Sequence, residues 1–373
     1  MSKFNIVEKD NPTSDAEISK ILDNPGFGDY LTDHMAHISY RANDDLDKHL
    51  MTTSKNGTWF NHEVVPFGNI SISPAASVFH YGQEIFEGVK AYRRSDDSIW
   101  MFRPELNAER FQKSALRLGL PDLSIDDFVE SIKEVVRIDR RWVSSREHQA
   151  LYIRPFMIAT EAFIGVGCSK EVDYYCILSP VGNYFGKPKP VNIWVEEEFF
   201  RAGPGGTGFA KCGGNYAASL LPAAIAYEKG FSQVLYLDAA DRASVEELGG
   251  MSFFAVKKDG SVLTPRLNGQ ILDSVTRRSV IEVLKDRGTK IEETKILLND
   301  LINGIKSGEI VECFACGTAA VIASIGRLAG KGFDVQIGVE QVEGELTVSL
   351  RDEIVGIQTG KVEDRFGWCT KIC

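Results

Sequence analysis

Basic charge is what this chain has too little of. Its 42 lysines and arginines stand against 52 aspartates and glutamates, for a formal net charge of -10 and an isoelectric point near 5.3. Nucleic acids and anionic membrane surfaces both select a basic face, so neither is an expected partner. Long apolar runs are missing too, since none approaches the roughly 20 residues that span a bilayer. The opening stretch, MSKFNIVEKDNPTSDAEISK, has no apolar core of a secretory signal, and a cytoplasmic location is the expectation. Histidine is scarce, at six. His34 and His37 lie close together, but in a polar stretch, and read as solvated, so no metal is expected. GxxxxGK(S/T), HExxH and GxSxG are all absent, which leaves no sign of a P-loop, a zincin helix or a serine-hydrolase elbow.

Cysteine is present in an odd number, seven, scattered over 373 residues. Without a secretion signal this favours free thiols over a disulfide framework. The one CxxC, Cys313-Phe-Ala-Cys316, has no second copy, so a zinc ribbon is not supported. Two half-buried structural thiols are expected there, with a redox pair as the alternative.

What the chain does have is glycine, 34 in all, gathered around one lysine. Gly203, Gly205, Gly206 and Gly208 precede Lys211, and Gly213 and Gly214 follow it. Small residues let backbone approach a ligand closely. After Asn215 the chain reads YAASLLPAAIAYEKG, a helical run that Gly230 closes. A lone amine in a tight turn before a helix is a candidate Schiff-base nucleophile, and a solvated surface lysine is the bland alternative. Gly203 to Gly208 also matches GxGxxG formally. A dinucleotide site needs the helix to start at the last glycine, and here Phe-Ala-Lys-Cys-Gly-Gly intervenes.

The length fits two domains. Residues 1–55 read as an N-terminal extension packed on the surface, and 56–184 as a smaller α/β domain. A linker rich in proline and glycine follows at 185–192, and then a larger domain at 193–373. In the first half a β-hairpin is expected in NGTWFNHEVVPFGNISISP. Short strands are expected at Val89–Tyr92 and Ile99–Phe102, helices from Pro104 and over 124–136, and strands in ALYIRPFMIAT and DYYCILSPVG. In the second half VNIWV and QVLYLDA read as strands and MSFFAVKKDGSVLTP as a hairpin turning at Asp259-Gly260. SVTRRSVIEVLKDRG reads as a helix capped by Ser274 and ended by Gly288. A further helix is expected over 298–307, then a strand-loop-strand in IVECFACGTAAVIASI and a last helix in LRDEIVGIQTG. The class is mixed, α+β.

Several residues suit an anionic cofactor held by one lysine. Ser274-Val275-Thr276 opens a helix, and helix N-termini bind phosphate. Gly317-Thr318-Ala319 offers a small turn with a hydroxyl, and Arg110 offers bidentate geometry. Glu247, in VEELGGM, is a carboxylate able to keep a heterocyclic nitrogen protonated. Singly, these read as a helix cap, a turn, a surface arginine and a solvated loop acid.

Taken in order, the blocks HYGQEIFEGVKAYR (80–93), FRPELNAERFQKSALRLGLP (102–121), LYIRP (151–155), GNYF (182–185), AKCGGNYAASL (210–220), VEELGGM (245–251), SVTRRS and FACGTAAVI (314–322) resemble the branched-chain-amino-acid aminotransferases. These belong to the fold-type-IV pyridoxal-phosphate enzymes. The resemblance covers nearly the whole chain from about residue 50. It implies a two-domain fold with pyridoxal 5'-phosphate at the domain interface, tethered by Lys211, which also shuttles the substrate proton. By the same resemblance, Glu247 pairs with the pyridine nitrogen and Tyr216 with the phenolic oxygen. Arg110, Val275, Thr276 and Thr318 hold the phosphate. Tyr152 and the Thr318-Ala319 amides grip the α-carboxylate. Arg154, helped by Tyr81, takes the side-chain carboxylate of glutamate, which would be costly to bury unpaired. Phe86, Tyr184, Val166 and Tyr81 line the aliphatic pocket. The substrates implied are amino acids and 2-oxo acids. Tyr81 and Val166 reach in from a second subunit in that family, so a homodimer with shared active sites is implied. The 182–192 stretch and the 203–208 loop are expected to act as lids.

Two departures stand out. Gly250 sits where some relatives have threonine, and the segment after the GTA turn, AVIASI, lacks the CxxC that some relatives carry there. D-amino-acid aminotransferases and aminodeoxychorismate lyases share the fold, but tend to be shorter and lack the FEGVKAYR block. A thiol-switched interaction protein on the same scaffold is the reading from another class, and it predicts no bound cofactor.

Overall fold

The computed structural model describes residues 3–43, 57–185 and 189–373. The DDLDKHL stretch and part of the expected linker lie outside the described residues. The chain divides into two units. One takes in Met1–Gly186, Ala210–Gly213 and Ile357–Cys373. The other takes in Lys187–Phe209 and Gly214–Gly356. The expected split at 185–192 foresees neither the return of the lysine turn nor that of the C-terminal tail to the first unit.

The first unit is built on strands β1 (Asn5–Ile6), β2 (His34–Ala42), β3 (Gly57–Pro66), β4 (Glu84–Phe86), β5 (Val89–Arg93), β6 (Ile99–Phe102), β7 (Ala150–Ala159) and β8 (Glu171–Val181). With the C-terminal strand Cys369–Lys371 they form a nine-stranded sheet. Its order is β1-β3-β2-β8-β7-β5-β6 and then Cys369–Lys371, with β4 also pairing β7. The helices are α1 (Asp15–Asp23), α2 (Ser77–Tyr81), α3 (Pro104–Arg117) and α4 (Ile125–Ile138). Proline opens α3, where its missing N–H costs nothing. Ser124 caps α4 by accepting the Asp127 amide.

Side chains alternate across a strand, so the sheet has two unlike faces. On one face Ala36, Ile38, Ala91, Ile153, Met157, Tyr174, Cys176 and Leu178 are buried in one core with Phe111 of α3 and with Phe128 and Ile132 of α4. The other face carries His37, Tyr152, Arg154, Phe156 and Tyr175. This second face is why the N-terminal stretch misread as a surface extension. Strand β2 lies within the sheet, between β3 and β8. Its polar residues are partnered rather than solvated: His34 Nδ1 lies 2.6 Å from Asp139, and His37 bridges Glu63 and Asp173. The expected hairpin after Gly57 is also corrected, because β3 is a single strand whose antiparallel partner is β2.

The second unit holds β9 (Val191–Glu196), β10 (Gln233–Leu237), β11 (Val245–Leu248), β12 (Ser252–Lys257), β13 (Val262–Pro265), β14 (Ile291–Thr294), β15 (Ile310–Gly317), β16 (Val321–Gly330) and β17 (Phe333–Gln336). Helices α5 (Gly213–Glu228), α6 (Val275–Asp286), α7 (Leu298–Ser307) and α8 (Glu345–Thr359) accompany them. The strand order is β11-β10-β9-β16-β15-β12-β13-β14, and β11 also pairs β12, which closes a ring. The β12–β13 hairpin turns at Gly260, whose φ of 83° no other residue type adopts as cheaply. Cys313 and Cys316 lie on β15, opposite Ile325 and Ile322 of β16. Three residues apart on one strand they point to opposite faces, and both are fully buried rather than half-buried. Burial pushes both thiols far up, so they read as structural. Among the described residues no helix is long and apolar enough to cross a membrane.

Candidate active site

In the first unit the site grows from β4. Glu84 pairs with Ile158 and Phe86 with Phe156, so both side chains share the sheet face that carries Tyr152 and Arg154. The lysine turn is fastened to this strand. The Phe86 amide donates to the Lys211 carbonyl (2.9 Å), and the Lys211 amide donates to Ser114 Oγ on α3 (2.9 Å). The Gly213 amide donates to Glu84 Oε1. A Cβ at Gly213 would come within 2.3 Å of that oxygen, which is why glycine stands there. The Lys211 Nζ lies 4.9 Å from the centre of the Phe86 ring, and the Arg154 Cζ lies 4.8 Å from it. Arg154 also donates to the Tyr152 hydroxyl and the Glu87 carbonyl, both at 3.0 Å.

Arg110 is not a surface arginine. Its Nε and Nη2 meet the two oxygens of Glu87 at 2.6 and 2.8 Å. Asn107, one turn earlier on α3, donates to the same carboxylate at 2.7 Å, and the Gly88 amide at 3.0 Å. Burial alone would push the Glu87 carboxyl up. The Arg110 charge and hydrogen bond, the Lys211 charge and Asn107 together outweigh it and hold the carboxyl below its ordinary range. Sequence reasoning quoted Glu87 inside FEGVK and gave it no task. Asn107 and Arg110 lie three residues apart on α3 and so reach the same carboxylate.

Phe27 was missed as well. Its ring stands edge-on to Tyr152 and to Tyr184, at 5.1 and 5.0 Å, so a residue outside every quoted block links two expected pocket residues. Tyr81 and Val166 lie elsewhere. The Tyr81 hydroxyl donates to the Ile164 carbonyl, and Val166 is 81% exposed. Phe79 and Ile164 are exposed as well.

In the second unit Glu247 lies on β11 and is buried, not solvated. Its Oε1 meets Nη2 of the buried Arg201 at 2.5 Å and accepts the Leu272 amide at 2.8 Å. Arg201, another residue the sequence reading missed, also donates to the carbonyls of Gly208 and Gln270. The 203–208 loop expected as a lid is thereby tied down at Gly208, and Thr207 is bonded twice to Asn215. Tyr216 occupies the first turn of α5 and is half-buried. Val275 and Thr276 form the first turn of α6, where the Ser274 hydroxyl takes the Arg277 amide. Thr318 and Ala319 sit in the turn between β15 and β16, which ends on Val321 at a φ of 60°. A β-branched residue rarely adopts that region, and such strain persists where surroundings over-determine it.

The donor chemistry fits pyridoxal 5'-phosphate. A lysine amine, a helix N-terminus with a threonine hydroxyl and a buried carboxylate are what an aldehyde, a phosphate and a pyridine nitrogen require.

The class IV amino-transferase family model matches residues 84–328. The branched-chain-amino-acid aminotransferase of Mycolicibacterium smegmatis is 45% identical over 99% of this chain and 98% of its own. Branched-chain-amino-acid aminotransferase 2 of Bacillus subtilis is 45% identical over 93% of this chain and 92% of its own. The crystal structure of the Escherichia coli branched-chain amino acid aminotransferase aligns with a TM-score of 0.72 at 26% identity, covering 83% of this chain and 97% of that one. A second branched-chain amino acid aminotransferase, from T.th. and solved with pyridoxamine 5'-phosphate, aligns with a TM-score of 0.71 at 26% identity, covering 83% and 96%. The fold is thus that of the fold-type-IV aminotransferases. Within that class, the chain belongs to the branched-chain-amino-acid aminotransferase family.

Proposed function

We propose that the protein transfers the amino group of L-leucine, L-isoleucine or L-valine to 2-oxoglutarate, and the reverse, with pyridoxal 5'-phosphate as cofactor. The observation that carries this reading is the lysine turn. Lys211 is fastened by hydrogen bonds through both its amide and its carbonyl, and its amine lies over Phe86, the ring that Arg154 also covers. When bound, the cofactor supplies an electron sink for the bond to be broken at the substrate Cα. Lys211 would hold the cofactor covalently, and its amine would move the proton off and onto that carbon. Glu247 keeps a proton on the pyridine nitrogen, and Tyr216 bonds the phenolic oxygen. Val275 and Thr276 offer the phosphate a helix N-terminus, while Thr318 and Arg110 complete its hold. Tyr152 and the Thr318-Ala319 turn orient the substrate α-carboxylate. Phe86 and Tyr184 reward an aliphatic side chain by about 0.8 kcal/mol per buried CH₂. Arg154 offers the side-chain carboxylate of glutamate a partner.

A homodimer completes this reading, with Tyr81 and Val166 serving the partner's pocket. The exposure of these two apolar side chains, and of Phe79 and Ile164, supports it. The seven cysteines, none in a disulfide, are in keeping with a reducing cytoplasm.

The test is borohydride reduction of yellow holoenzyme followed by peptide mapping, alongside rates with L-leucine and D-alanine against 2-oxoglutarate. The adduct is expected on Lys211 and turnover with L-leucine. An adduct on another lysine, or faster turnover with D-alanine, overturns the reading.

A further inference from the structure

We propose that Glu84 is a specificity-determining residue, whose carboxylate shares the Arg154 charge and so sets how strongly the site takes a dicarboxylic substrate relative to an aliphatic one. The proposal rests on the reading of Arg154 as the group that receives the side-chain carboxylate of glutamate or 2-oxoglutarate.

The register fixes the placement. Glu84 faces Ile158 and Phe86 faces Phe156 across the antiparallel β4–β7 pair. Arg154 lies two residues from Phe156 on β7, so Glu84, Phe86 and Arg154 share one face, with Arg154 folded over the Phe86 ring. Among the described residues Arg154 has no carboxylate at ion-pair distance, and its bonds go to a hydroxyl and a carbonyl. Glu87, the other acid beside this strand, is engaged with Arg110. Glu84 itself is held by the Gly213 amide, in a space too small for a Cβ. It therefore stays near Arg154 without closing onto it. Burial pushes its carboxyl up, while the Gly213 amide and the Arg154 charge draw it back. A second carboxylate arriving at Arg154 meets repulsion from Glu84, and an aliphatic side chain meets none. The acid thus keeps the arginine from binding dicarboxylates so tightly that branched substrates are excluded.

The test compares the wild-type holoenzyme with Glu84→Gln at pH 8. KM is measured for 2-oxoglutarate and, in the reverse direction, for 4-methyl-2-oxopentanoate. Glutamine keeps an oxygen for the Gly213 amide and removes only the charge. The expected result is a fall in the 2-oxoglutarate KM on the order of ten-fold, with the 4-methyl-2-oxopentanoate KM moving by less than about two-fold. Glu84→Ala, which loses the hydrogen bond too, is expected to lower kcat with both substrates. Equal movement of both KM values in Glu84→Gln, or movement of neither, overturns the proposal. Arg154→Gln separates the two failures. If that variant leaves the 2-oxoglutarate KM unchanged, the reading of Arg154 fails. If it raises that KM and Glu84→Gln does not lower it, Glu84 alone is misassigned.

Discussion

Each unit buries one glutamate against one arginine, and the two pairs are built to different standards. Glu87 has both oxygens engaged by Arg110, Asn107 and the Gly88 amide. Arg201 brings Glu247 a single nitrogen, spreads that nitrogen over two carbonyls as well, and leaves its buried Nε without a partner. A fork-on-fork pair with both carboxylate oxygens engaged is a structural lock, whereas a one-armed pair places its acid through a single nitrogen of the arginine. The roles are also exchanged. In the first unit the arginine is the expected cofactor ligand and the acid supports it, and in the second the acid is the expected ligand and the arginine supports it.

The largest effect should come from breaking the closed pair. Glu87→Ala leaves the buried Arg110 charge without its partner, at a cost of about 3–5 kcal/mol in unfolding free energy. Denaturant titration of the holoenzyme measures it. A loss below about 1 kcal/mol would show that Arg110 finds another counter-charge and that the lock reading is wrong. The matching change in the second unit should act on rate as well as on stability. Glu247→Gln keeps the Leu272 hydrogen bond and removes the charge proposed to hold a proton on the pyridine nitrogen. An expected drop in kcat of about 10²- to 10³-fold in protein that remains folded, on top of the stability lost by unpairing the buried Arg201, would set the two pairs apart.

A third acid sharpens the contrast, since among the described residues it has no arginine at ion-pair distance. Glu246 is buried on β11 with only Asn268 bonded to one oxygen. Burial first, then the charges of Asp238 and Glu247, push its carboxyl up to about 7 against the Asn268 hydrogen bond. A carboxyl raised on folding binds its proton more tightly in the native state. Its contribution is therefore fully present below the ordinary glutamate range and is lost as pH rises through about 7. Stability should fall by about 1–2 kcal/mol across that window once solvent screening is allowed for, and Glu246→Gln should flatten the curve. Thermal melts between those limits that slope equally in both proteins would remove the effect.

Much of this was legible in the sequence where the cause is local. Pro104 at the start of α3, Ser274 capping α6, Gly260 in its turn and the small residues around Lys211 each act within a few positions of themselves. What stayed hidden depends on partners far along the chain. Strand β2 was unreadable because His37 and Ser39 meet Asp173, 134 or more positions away, so polar residues that look solvated are paired. Glu87 and Arg201 were hidden for the same reason. A buried charge carries no mark in its own neighbourhood, and only the fold brings the opposite charge to it. Phe27 lies outside every quoted block and reaches the pocket residues through tertiary packing alone.

The smallest predicted effect probes a hydrogen bond that joins the closed pair to the lysine. Ser114 Oγ accepts the Lys211 amide and donates to the Arg110 carbonyl, so one hydroxyl couples the helix that carries Arg110 to the turn that carries Lys211. Ser114 is fully buried, and a buried amide left without an acceptor costs about 1–3 kcal/mol. The Phe86 bond to the Lys211 carbonyl would still hold the other side of the turn, so Ser114→Ala should sit near 1 kcal/mol in stability and lower kcat several-fold. If the hydroxyl only packs the core, stability falls and kcat does not. If it positions Lys211, kcat falls with KM for L-leucine unchanged, and that split decides between them.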